Sequence, residues 1–101
     1  MNDNFNNIMN VEGLRDFFKD QIYETLYPYV IANNLNSDVN NPLYLRIRNL
    51  MKRVNNLPKI YLNKDLSSQE RNINIQQEAD YISEELTQLQ TEIGYGRKKT
   101  M

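Results

Sequence analysis

The chain has 101 residues and a formal net charge of −1, and its 40% hydrophobic and 25% charged content fits one folded domain with a modest core rather than a disordered chain. It contains neither cysteine nor histidine, which excludes disulfides, thiolate chemistry and Cys-based zinc sites and removes the commonest neutral-pH base and transition-metal ligand. Catalysis would have to rest on carboxylates, Lys, Tyr or Ser without a His partner, so the composition points away from an enzyme and implies no metal and no other cofactor.

No stretch reaches the roughly 20 apolar residues of a membrane helix, and the amino terminus lacks the basic-then-apolar layout of a signal peptide. The expectation is an intracellular protein without membrane insertion, cytoplasmic or within a virion or organelle assembly, and not secreted. Asparagine occurs sixteen times, five of them in the first ten residues, which hints at an AT-rich genome rather than at a chemistry.

Residues 1–10 carry no hydrophobic period and read as a flexible arm. From Val11 the apolar positions Val11, Leu14, Phe17, Phe18, Ile22, Leu26, Tyr29 and Val30 recur every three or four residues, predicting a first helix over about 11–33. Pro28 falls inside that pattern and should kink or end the helix near Tyr27, because its ring clashes with the carbonyl four residues earlier. An Asn-rich loop then ends in Asn41-Pro42, a capping side chain followed by the ring that suits a first helical position.

The second predicted helix covers 42–55, with Leu43, Ile47, Leu50, Met51 and Val54 as its buried stripe. Asn55-Asn56-Leu57-Pro58 should terminate it. Lys59-Ile60-Tyr61-Leu62 reads as an extended connection, with an edge strand as the alternative. Ser67-Ser68-Gln69-Glu70 is a capping box that opens the third helix, 68–93. Ile75, Ala79, Ile82, Leu86, Leu89 and Ile93 are spaced 4, 3, 4, 3, 4, as in a coiled-coil seam, and Gly94 stops the helix. Residues 95–101, with Arg97, Lys98 and Lys99, read as a basic flexible tail.

These elements predict an all-α fold in a single domain over 11–94: a small three-helix bundle, or a helical hairpin with a long C-terminal coiled-coil-like helix. The seam could be the inner face of an intramolecular bundle or be shared with another chain, since both use the same packing. Charge bears on that choice. Residues 42–64 carry six cations and no acid, whereas residues 65–93 have a net charge of −6. The positions flanking the seam on one side are Glu78, Glu85 and Glu92, which disfavours an antiparallel homodimer and favours pairing with the chain's own basic helix.

Three kinds of function compete. The first is a non-enzymatic structural or adaptor subunit of a larger assembly that binds other protein subunits, with self-association as one form of this. Its candidate partner surface is Tyr23, Tyr27 and Tyr29, because tyrosine is enriched at protein interfaces, followed by the seam residues Ile75, Ile82, Leu86, Leu89 and Ile93. The second is a small nucleic-acid-binding accessory protein using the basic block 46–64 and the basic tail. Its candidate contacts are Arg46, Arg48, Lys52, Arg53, Arg97, Lys98 and Lys99, with Tyr44 or Tyr61 stacking on bases. The third, an enzyme, has only the acids Glu78, Asp80, Glu84 and Glu85, which no phosphate loop or histidine gathers into a site.

Two resemblances can be named. Leu14-Arg15-Asp16-Phe17-Phe18 through Asn41-Pro42-Leu43-Tyr44-Leu45 is similar to the two-helix docking modules typified by the regulatory subunit of cyclic-AMP-dependent kinase. The sequence departs from that pattern at Pro28 and at Arg46, Arg48 and Asn49. Leu43-Tyr44-Leu45-Arg46 looks like the Leu-Tyr-Arg signature of small mitochondrial assembly factors, with a Leu inserted and a mid-chain position.

Overall fold

The computed structural model describes residues 7–95, so Met1–Asn6 of the expected arm and the tail cations Arg97, Lys98 and Lys99 lie outside the described residues. The described chain is all-α, without strands, and is built on three long helices as expected. Helix α1 (Ile8–Thr25) begins three residues earlier than the periodicity suggested, because the Asn7 side chain accepts a hydrogen bond from the Met9 N–H at 2.8 Å and caps it. Residues 8–10, assigned to the arm from sequence, are therefore helical.

The predicted helix 11–33 is divided at Leu26. Helix α1 ends at Thr25 and α2 (Tyr27–Ala32) follows at once, with Pro28 as its second residue. Leu26 is fully buried at this joint, and its carbonyl accepts from the N–H groups of Tyr29 and Val30. A short 3-10 turn (Leu35–Ser37), entered through Asn34 in the left-handed region at φ 56°, leads to Asn41. The Asn41 side chain accepts from both Leu43 and Tyr44 N–H and starts α3 (Pro42–Asn55) at the predicted place.

The segment expected to be extended is helical. Helix α4 (Leu57–Tyr61) starts immediately after α3, with Pro58 in its first turn. The physical reason is the one that governs α2 and α3. A proline in the first turn of a helix forfeits only an N–H that has no intrahelical acceptor, and its fixed φ is already helical. All three prolines of the chain open helices in this way.

Helix α5 (Ser68–Glu92) has the full capping box at Ser67 and Glu70. It ends in a Schellman motif, in which Gly94 at φ 77° allows its own N–H to reach Thr91 O and the Tyr95 N–H to reach Gln90 O.

The core lies where α1, α3, α4 and α5 meet. Val11, Phe18 and Ile22 from α1, Leu26 and Val30 around the joint, Ile47, Leu50 and Val54 from α3, Leu57 from α4, and Ile75, Ala79, Ile82, Leu86 and Leu89 from α5 are all buried. Phe17, counted with the apolar stripe of the first helix from sequence, is instead 57% exposed and touches Phe18 edge-on. Helices α3 and α5 run antiparallel, since Arg46 meets Glu92 while Arg53 meets Glu78. The molecule measures 46 × 31 × 18 Å, so its shortest dimension is about two helix diameters.

Candidate interaction surface

The α5 seam does not form an outer surface. Ile75, Ile82 and Leu89 are fully buried, Leu86 is nearly so, and Ile93 packs partly buried against the same cluster. The seam is occupied by the chain's own α3, α4 and α1, the intramolecular of the two arrangements that its spacing allows.

Beside the seam, the charges pair as their segregation foretold. The Arg53 guanidinium donates two parallel hydrogen bonds to Glu78, from Nε at 2.9 Å and from Nη2 at 2.8 Å, and lies 3.9 Å from the Tyr81 ring centroid. Arg46 donates to Glu85 at 3.2 Å and to both Glu92 carboxylate oxygens at 2.7 and 2.9 Å. The hydrogen bond that Arg46 donates to Glu92, then that to Glu85, holds Arg46 above its usual guanidinium range against the opposing effect of burial. Glu78 does the same for Arg53. Arg46 and Arg53, both candidates for phosphate contact, therefore spend their charge on α5. Between the two helices Arg46, Asn49, Leu50, Arg53, Tyr81 and Glu85 line a groove, and its mixed charge follows from these pairs.

The opposite edge of α3 is different. At about 100° of rotation per residue, Arg46 and Arg53 fall on one side of the buried stripe and Tyr44, Arg48 and Lys52 on the other. Arg48 and Lys52 are exposed. No carboxylate lies within 4.0 Å of either cation among the described residues. Arg48 instead stands 5.8 Å from the centroid of the Tyr44 ring, four residues earlier on the same face.

This edge meets the tyrosines of α1 and α2. Tyr23 is 51% exposed, and its ring centroid is 5.1 Å from that of Tyr27, which packs partly buried against the core together with Tyr44. Burial raises the Tyr27 phenol pKa above its usual value of 10.0, the neighbouring Tyr44 and Tyr23 add to the rise, and Arg48 acts in the opposite sense. Tyr23, Tyr27, Tyr44 and Arg48 thus form one cluster contributed by three helices. From sequence, Tyr23 and Tyr27 belong to the candidate partner surface, and Tyr44 and Arg48 to the candidate nucleic-acid contacts. Their i, i+4 spacing puts the latter two on one face, but nothing local shows that this face turns toward α2.

Tyr29, the third tyrosine of the predicted surface, lies apart. It lines a groove with Glu24, Thr25, Pro28, Ile93, Gly94 and Tyr95. In the wall of that groove, Thr25, the one buried polar residue among those described, donates to Gln21 O at 2.7 Å and accepts from Gln90 Nε2 at 3.0 Å, tying the end of α1 to the end of α5. No signal in the sequence singled out this pair. Among the described residues no helix is long and apolar enough to cross a membrane. Comparisons with protein-family models, with curated proteins and with solved structures find no match to this chain.

Proposed function

We propose that this chain is a non-enzymatic structural or adaptor subunit that binds another protein through the cluster Tyr23, Tyr27, Tyr44 and Arg48. The observation that carries the reading is the gathering of three phenol rings, Tyr23 exposed and Tyr27 and Tyr44 partly buried against the core, beside the exposed guanidinium of Arg48. Tyr and Arg are the residue types that dominate binding energy at interfaces. They combine large apolar contact area with polar tips that keep a free surface soluble. Of the acids named as candidates for catalysis, Glu78 and Glu85 are held by Arg53 and Arg46.

A photo-crosslinking residue placed at position 23, compared with one at the exposed position Ser83 of α5, tests this in cells that naturally contain the protein. A discrete covalent adduct to one protein from position 23 but not from position 83 is the expected result. Equal or absent labelling from the two positions would remove the tyrosine cluster from consideration.

Nucleic-acid binding is the second reading, favoured by the shallow pocket of Lys52, Arg53, Asn55, Asn56 and Lys59 at the joint of α3 and α4. Two of the block's six cations are neutralised by α5, and Lys52 and Arg53 already complement the negative end of the α3 dipole. Retention on immobilised nucleic acid that persists at physiological salt would favour this second reading.

A further inference from the structure

Helix α3 carries a buried stripe flanked by two basic edges, and the fold shows what satisfies one of them. On the α5 side the edge is met by glutamates at 78, 85 and 92, which accept hydrogen bonds from Arg46 and Arg53 at 2.7 to 3.2 Å. The other edge, with Leu45 partly exposed and Arg48 and Lys52 exposed in one row, has no carboxylate at salt-bridge distance among the described residues. Beside it stand the phenols of Tyr23, Tyr27 and Tyr44.

We infer that this edge is the docking site for an acidic peptide segment of another protein, one that sets carboxylates on Arg48 and Lys52 and apolar side chains on the tyrosine rings. The inference rests on the adaptor reading above and names the chemistry of the partner. Charge complementarity carries it. A guanidinium and an ammonium one helical turn apart match carboxylates spaced along a peptide, as the first edge is matched by α5. The tyrosine hydroxyls add hydrogen-bond donors to which a carboxylate is the acceptor. A nucleic-acid strand suits the edge less well, because its binding draws on several phosphate contacts at once, and this row supplies two cations.

The test uses the full chain and a labelled synthetic peptide of about three heptads with Leu at the seam positions and Glu beside them, followed by fluorescence anisotropy. Matched peptides with Gln or Lys in place of Glu, and an oligothymidylate competitor, complete the set. The Glu peptide should bind at least about tenfold more tightly than the Gln peptide, and Arg48→Glu with Lys52→Glu should abolish that preference. The Lys peptide should bind the doubly substituted protein, a rescue that a misfolded chain would not give. Circular dichroism of the double variant should match wild type.

Equal binding of Glu and Gln peptides, indifference to the double substitution, or displacement by oligothymidylate at lower concentration than by unlabelled Glu peptide would each overturn the inference. A crosslink from position 23 obtained alongside any of these failures would leave the partner surface standing and refute only its acidic complement.

Discussion

Two side chains report directly on how the helices are held. Thr25 is buried and fully hydrogen-bonded, to Gln21 O and to Gln90. Replacing it with Val keeps the shape but removes the acceptor that Gln90 uses, and should cost about 1 kcal/mol in urea-induced unfolding. The same substitution in a Gln90→Ala background should cost less, since the two residues act as a pair. Tyr27 gives a spectroscopic prediction. Its phenol is raised above 10.0 in the folded chain, so the folded state holds that proton longer than the unfolded state does. The resulting stability is complete below the unfolded value and is lost as pH rises through the folded one. The tyrosinate absorbance difference between wild type and Tyr27→Phe should therefore show a midpoint above 10.0 under folding conditions and move down on unfolding.

Among the elements, α5 does most to hold the bundle, and its seam was legible from sequence because a 4, 3 spacing sustained over nineteen positions admits few other structures. The caps at Asn41 and Ser67 were equally legible, each being a side chain that answers specific orphan N–H groups. What the seam packs against was not, since the same spacing serves an internal and an external partner. The flanking glutamates supplied the deciding hint, later met by Arg46 and Arg53. Ile82 sits fully buried in mid-seam. Ile82→Ala should cost about 3 kcal/mol through lost contacts and the cavity left behind, read from denaturant unfolding with no change in the mass of the folded species.

The shortest elements were the least legible. Helix α4 has five residues, too few to display a period, so its branched and aromatic composition pointed to an extended segment. The tyrosine cluster lay between these extremes. Tyr23 and Tyr27 stood out by residue type, but joining them to Tyr44 and Arg48 required the turn at Leu26 and the direction of α3, both set by tertiary packing.

The whole molecule has a radius of gyration of 15.4 Å, against about 13 Å for a compact domain of this length. One core serves all the helices, so a charge placed in it should abolish the fold rather than dissociate an oligomer. Leu86→Lys should lose its helical circular dichroism cooperatively. Light scattering after size exclusion should then find no folded monomer of this variant, the species it would yield if the seam joined two chains.

The thinness of the body, 18 Å across, also shapes its motions. Hardly any side chain stands more than one neighbour away from water, and local openings need move little material to expose backbone amides. Hydrogen exchange should accordingly be slowest along the middle of α5 and faster toward both rims. Exchange would slow on whichever broad face a partner came to cover, so a bound protein would leave its footprint in the amides even where no contact residue is mutated.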